Sequence, residues 1–131
     1  MKAQRVAVVG ASGYSGEELV RILVRHPGVE LAALTSRQLA GKRMDEVFPR
    51  FVHHRFADLR FVESTTDAIL SSGAGIVFLA LPHGVAAEFA RPLVTAGLRV
   101  IDLSADFRIK DPAVYEEFYG EPSHAPELAQ I

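Results

Sequence analysis

Three glycines spaced by pairs of residues, Gly10, Gly13 and Gly16, stand directly behind a short apolar run and directly ahead of a helical pattern. Few arrangements confine a fold so tightly. Residues 5–9 are apolar and β-branched at nearly every position, as in a strand covered on both faces. Over residues 14–26, Leu19, Ile22 and Leu23 recur at helical spacing, while Glu17, Glu18, Arg21 and Arg25 fall largely on the other side of the wheel. Pro27-Gly28 stops that helix, and residues 29–34 form a second apolar run. Strand, glycine turn, helix and strand within about 30 residues predict a right-handed βαβ crossover.

The alternation continues. Residues 35–55 lack clear periodicity and read mostly as loop, and residues 56–62 as a strand. Thr65 or Thr66 caps a short helix through Ser71, which Gly73 and Gly75 end. Residues 75–81 supply another buried strand, and residues 85–96 a helix with Val85, Phe89 and Leu93 four apart. Pro92 removes a backbone donor inside that helix and is expected to bend or restart it, and Gly97 is a C-terminal cap. Residues 98–103 form a further strand. Asp111 and Pro112 open a short helix through Tyr119, which Gly120 ends. The tail from Glu121 has two prolines and no periodicity. The expected fold is α/β, a doubly wound, mainly parallel sheet of the Rossmann type that binds NAD(P), with all 131 residues in one domain.

The glycine loop is where chemistry is expected. Close approach of a pyrophosphate requires missing Cβ atoms, and a helix N-terminus offers unpaired N–H groups and partial positive charge. The second strand ends in Thr35-Ser36-Arg37, where NAD-binding versions of the motif place an acidic residue on the ribose. A guanidinium and hydroxyls there suit the 2′-phosphate of NADP instead, although Arg37 also reads as a solvated loop cation. The third strand ends in Leu81-Pro82-His83-Gly84 and the fourth in Asp102-Leu103-Ser104-Ala105-Asp106-Phe107-Arg108, both at the carboxyl edge where open sheets bind ligands. His83 reads equally as a cofactor contact or a structural histidine, and Asp106 and Arg108 as an ion bridge or as substrate contacts.

Other classes fall away. With no cysteine, the chain has no disulfide, thiolate metal site or thiol catalysis of its own. His53-His54 lacks partners at ligand spacing, so no metal is expected. His26, at a helix end, suits an imidazolium facing the helix dipole. The Tyr-x-x-x-Lys pair of short-chain dehydrogenases is missing, since Glu18, Tyr119 and Ser123 stand four after Tyr14, Tyr115 and Tyr119. A net charge of -2 without charge runs argues against nucleic acid. No apolar stretch approaches the roughly 20 residues of a membrane span, and the N-terminal run is too short for a signal peptide, so a cytoplasmic protein is expected.

Taken in order, residues 9–16 (Val-Gly-Ala-Ser-Gly-Tyr-Ser-Gly), 81–84, 102–108 and 115–120 resemble the N-terminal portion of the N-acetyl-γ-glutamyl-phosphate reductase family, over nearly the whole chain. The resemblance implies an NADPH-dependent oxidoreductase of arginine biosynthesis, which reduces an acyl phosphate to a semialdehyde with release of phosphate through a cysteine thioester. It maps cofactor contacts onto Gly10, Ser12, Gly13, Tyr14, Ser15 and Gly16, and onto Ser36, Arg37, Pro82 and His83. It places the catalytic cysteine, histidine and substrate domain beyond residue 131, so no catalytic residue is named and the chain alone is expected to be inactive, with an exposed apolar patch. The full-length enzyme is expected to be a homo-oligomer. The cofactor domain of an aspartate-semialdehyde dehydrogenase or an aminoadipate-pathway reductase, and a non-catalytic NADP-binding sensor, remain open alternatives.

Overall fold

The computed structural model describes residues 2–104, 106–120, 122–123 and 125–130. Ala105 of the fourth-strand segment and Glu121 at the start of the tail lie outside the described residues. Four parallel strands, β1 (Gln4–Val9), β2 (Val29–Leu34), β3 (Ile76–Leu79) and β4 (Arg99–Asp102), stand in the order β2-β1-β3-β4. The chain leaves β1 toward β2 on one side and returns to β3 on the other. That reversal opens a crevice at the carboxyl ends of β1 and β3.

Strand alternation divides the core. Val6 and Val8 of β1 join α1 (Tyr14–Leu23) in one apolar cluster, while Ala7 and Val9 join α3 (Thr66–Ser71) and α4 (Ala86–Thr95) in the other. β1 is thus covered on both faces, as its apolar run requires. One irregularity has no sequence signal: Val6 faces Leu31 but Ala7 faces Ala33, so Ala32 is an extra residue in β2. The bulge turns both Ala32 and Ala33 toward the second cluster and returns Leu34 to the first.

Several expectations need correction. Residues 56–62 are not a strand. Phe56 has φ 65°, and Leu59 N donates back to the Phe56 carbonyl at 2.9 Å, which folds the segment into a turn. Its end pairs instead with the preceding loop, Phe61 N donating to Lys42 O and Met44 N to Leu59 O, and Val62 makes a single parallel bridge to Thr35.

Residues 35–55 are more ordered than a loop. They hold α2 (Met44–Val47) and a 3₁₀ turn (Pro49–Phe51) that bury Met44, Phe48 and Phe51, with the Phe48 and Phe61 rings 6.0 Å apart. The i, i+4, i+7 spacing of those three residues was the overlooked helical signal.

α1 ends at Leu23 rather than His26, because Arg25 N and His26 N turn back to Ile22 O and Leu23 O in 3₁₀ fashion. His26 has a structural role in the turn after α1, where its Nδ1 accepts the Gly28 N–H at 2.9 Å.

α4 passes through Pro92 without a break. An interior proline costs about 3 kcal/mol, which burial of Phe89 and Leu93 on the same helix, about 1.5–3 kcal/mol each, offsets. α5 (Pro112–Tyr119) begins and ends as expected, with the Asp111 carboxylate accepting from Ala113 N and Gly120 in the left-handed region at φ 74°. The tail forms a 3₁₀ turn (Pro126–Gln130) that pairs Glu127 with Arg91 of α4.

On the α1 side, the sheet beyond β3 is open. Ile76, Phe78 and Ile101 line an apolar groove with Leu23 and Val29, and Ile101 and Leu103 are exposed. No helix among the described residues is long and apolar enough to cross a membrane.

Candidate nucleotide site

The three loop glycines answer to different demands. Gly10 has φ 78°, and a Cβ there would lie 2.4 Å from the Ala80 carbonyl oxygen, so β1 and the chain after β3 touch only because Gly10 has no side chain. A Cβ on Gly16 would lie 2.4 Å from Gly10 O and 2.7 Å from Ala11 Cα, so this glycine seats α1 against the turn. Gly13 is different. Its backbone is ordinary (φ -78°, ψ 173°), and an added Cβ would meet nothing nearer than Gly10 O at 3.7 Å. The chain's own packing therefore does not require glycine at 13, and the space beside it is open toward the cleft. No side chain caps the N-terminus of α1, which leaves its first N–H groups open to an anion.

A cleft of about 270 Å³ opens at the crevice, lined by Gly10, Ser12, Gly13, Ser36, Arg37, Gln38, Ser64, Ala80, Leu81, Pro82 and Val85. No acidic residue is among them. Six of the eleven residues expected at the site from sequence thus line one cavity. Gly16 and Thr35 are buried behind it, Thr35 at 0% exposure. Tyr14, at 98% exposure, and Ser15 stand outside on the first turn of α1. His83 also lies off the cleft wall.

Thr35 works from behind. Its Oγ1 accepts the Gly10 N–H at 3.3 Å and the Ser64 hydroxyl at 2.8 Å, and its carbonyl accepts Ala11 N–H at 3.0 Å. Ser36 Oγ accepts from Gln38 N (3.3 Å) and Leu39 N (3.2 Å) and lies 3.2 Å from Ser12 Oγ. The glycine loop is thereby tied to the end of β2. Sequence reasoning missed Ser64, because in Glu63-Ser64-Thr65-Thr66 it looks like one more residue of a helix start.

The ends of β3 and β4 are joined by ionisable groups. Asp106, at 1% exposure, accepts from Gly84 N at 2.9 Å and faces His83 Nδ1 at 3.2 Å and Tyr115 OH at 3.4 Å through the same oxygen, Oδ1. Its Oδ2 is buried without a hydrogen-bond partner among the described residues. The His83 ring packs beside Tyr115 and Tyr119, with centroids 5.9 and 5.3 Å away. The expected Asp106–Arg108 bridge does not form, because Arg108 donates instead to the carbonyls of Ser104 (3.0 Å) and Leu103 (3.1 Å) while Asp106 turns inward. His54 packs edge-on against Phe51, 5.6 Å between centroids, and among the described residues no three His, Cys, Asp or Glu side chains gather as a metal site.

Residues 5–126 match the family described as "Semialdehyde dehydrogenase, NAD binding domain". Over 130 residues the chain is 58% identical to an N-acetyl-gamma-glutamyl-phosphate reductase of Akkermansia muciniphila, covering 99% of this chain and 38% of that protein. It is 48% identical to a Pyrobaculum calidifontis protein named for LysW-L-2-aminoadipate/LysW-L-glutamate phosphate reduction, covering 94% of this chain and 34% of that one. In structure it is similar to aspartate semialdehyde dehydrogenase with NADP from Candida albicans, with TM-score 0.69 and 24% identity, over 85% of this chain and 32% of that chain. At that identity the likeness establishes the fold. The chain spans little more than a third of the length of these curated relatives.

Proposed function

The chain belongs to the semialdehyde dehydrogenase family, over its NAD-binding domain, and from that premise we propose that it is the NADP-binding part of an N-acetyl-γ-glutamyl-phosphate reductase. The whole enzyme would reduce an acyl phosphate to N-acetylglutamate semialdehyde in arginine biosynthesis and release phosphate. NADPH, when bound, supplies the hydride for that reduction. The residues in hand bind and orient it. The glycine loop and the uncapped end of α1 receive the pyrophosphate, Ser12 offers a hydroxyl that Ser36 orients from behind, and Arg37 pairs with the 2′-phosphate. Pro82 lines the far wall, and His83 shapes the loop beside it. No cysteine stands in these residues, so the thiolate of a thioester step would come from elsewhere in the enzyme, and these residues alone would turn over no substrate. The shared identity with the Pyrobaculum protein makes an aminoadipate-type acyl phosphate the alternative substrate.

The observation that carries the cofactor choice is a cleft with Arg37 at the ribose-reading position and no acidic residue on its wall. A carboxylate there would repel the 2′-phosphate dianion, and a guanidinium binds it through charge-assisted hydrogen bonds worth about 1.5–3 kcal/mol. Calorimetric titration of native protein and Arg37→Ala with NADP and NAD tests this. NADP should lose roughly ten- to a hundredfold in affinity while NAD is almost unchanged. Equal loss for both would place Arg37 on the pyrophosphate or on folding, and no loss would return it to solvent.

A further inference from the structure

Counting hydroxyl protons and lone pairs gives the cleft walls opposite polarity. A serine hydroxyl has one proton to give and two lone pairs to fill. Both lone pairs of Ser36 are taken by Gln38 N and Leu39 N, so its proton turns to Ser12 Oγ, 3.2 Å away. Ser12, having accepted it, faces the cleft with a proton to donate. With Arg37, that wall is a donor wall, suited to phosphate oxygens.

Ser64 is the reverse. Its proton is committed to Thr35 Oγ1 at 2.8 Å, on a buried residue that already holds Gly10 N. Ser64 nevertheless lines the cleft, and it does so with lone pairs alone. It can therefore receive a ligand O–H or N–H and would oppose a phosphate. Its bond to Thr35, the neighbour of Ser36 and Arg37, places it beside the ribose-reading end of β2. Once the 2′-oxygen of an adenosine is phosphorylated, the ribose keeps one hydroxyl donor, the 3′.

Resting on the NADP reading above, we propose that Ser64 is a specificity-determining contact that accepts the 3′-hydroxyl of the adenosine ribose. The bond to Thr35 aims its lone pairs outward, and swapping the protein and ligand groups one at a time isolates the contact. Native protein and Ser64→Ala are titrated calorimetrically with NADP and with NADP lacking the adenosine 3′-hydroxyl. Native protein should bind the deoxy compound about three- to tenfold more weakly. Ser64→Ala should bind both compounds equally, and Ser64→Thr, which keeps the oxygen, should restore the difference. A general loosening of the glycine loop in Ser64→Ala would weaken both ligands alike and leave the ratio between them untouched. A ratio that survives in Ser64→Ala, or a native protein indifferent to the 3′-hydroxyl, overturns the proposal. The same cycle with NAD and its 3′-deoxy analogue separates the two readings: loss of the ratio in Ser64→Ala together with a native preference for NAD would remove the NADP assignment and leave the Ser64 contact standing. Failure of native protein to bind any of the four compounds overturns both.

Discussion

At the carboxyl ends of β1 and β2 the polar contacts among the described residues are made by hydroxyls and backbone amides. Thr35 holds Gly10 and Ser64, and Ser36 holds Gln38, Leu39 and Ser12. At the ends of β3 and β4 the contacts are made by groups that ionise. Asp106 gathers Gly84 N, His83 and Tyr115 on one oxygen and leaves the other buried without a partner among the described residues. The first region holds its loop with groups that stay neutral, and the one charged side chain on its cleft wall is the exposed Arg37. The second is organised around one buried carboxylate that three partners share.

The largest effect expected from this contrast lies in the glycine loop. Gly10→Ala sets a Cβ against Ala80 O in a left-handed backbone, and should cost about 2–5 kcal/mol of stability, from strain and overpacking together. Gly13→Ala should change stability by less than about 0.5 kcal/mol and still weaken NADP, since its Cβ stands clear of the chain. Denaturant melts and nucleotide titration on both variants check the pair. If Gly13→Ala unfolds as readily as Gly10→Ala, the division between packing glycines and a ligand-facing glycine is wrong.

Next comes Asp106. Replacing it by alanine takes from the Gly84 N–H its carboxylate acceptor and opens a space in a buried site, for a loss of about 1–3 kcal/mol. Ser36→Ala, at the neutral end, leaves two loop amides that water can reach and should cost less. Chemical denaturation that found Ser36→Ala the more damaging would reverse the comparison.

The smallest effect is a pH dependence away from both regions. The Arg43 guanidinium hydrogen-bonds Asp45, Nη2 to Oδ2 at 2.8 Å, and holds its carboxyl below the usual carboxylate range. A depressed folded pKa stabilises the fold above the unfolded value of about 3.9, and that contribution is lost as pH falls through the folded value. The stability difference between native protein and Asp45→Asn should therefore be present at neutral pH and close in acid. Melting curves for both proteins from neutral pH to about pH 2 would show it, and a difference independent of pH would deny the pair any role.

What could be read in advance followed the range of the interactions. The βαβ opening, the caps at Thr65 and Asp111, and the glycine loop all rest on residues a few positions apart, and they appear where the pattern placed them. The segment 56–62 misled because its apolar spacing satisfies a strand, while its pairing with residues 41–45 and the positive φ of Phe56 come from packing onto Phe48 and Met44. Ser64 was invisible for the same reason. Nothing in Glu63-Ser64-Thr65 distinguishes a helix start from a cleft wall until Thr35 is brought 2.8 Å away.

The sequence by itself therefore determined that this chain winds α/β around a parallel sheet and that a glycine loop opens its first helix, because periodicity and turn chemistry are local properties of the backbone. Only the tertiary structure decided which glycines the packing requires and which it leaves open, that Asp106 turns to His83 and Gly84 rather than to Arg108, and that Ser64 meets the cleft with its hydroxyl turned to Thr35. Each of those depends on groups far apart in the chain, 22 residues for Asp106 with Gly84 and 29 for Ser64 with Thr35. A hydroxyl or carboxylate takes its role from the partner that fills its protons and lone pairs, and folding chooses that partner.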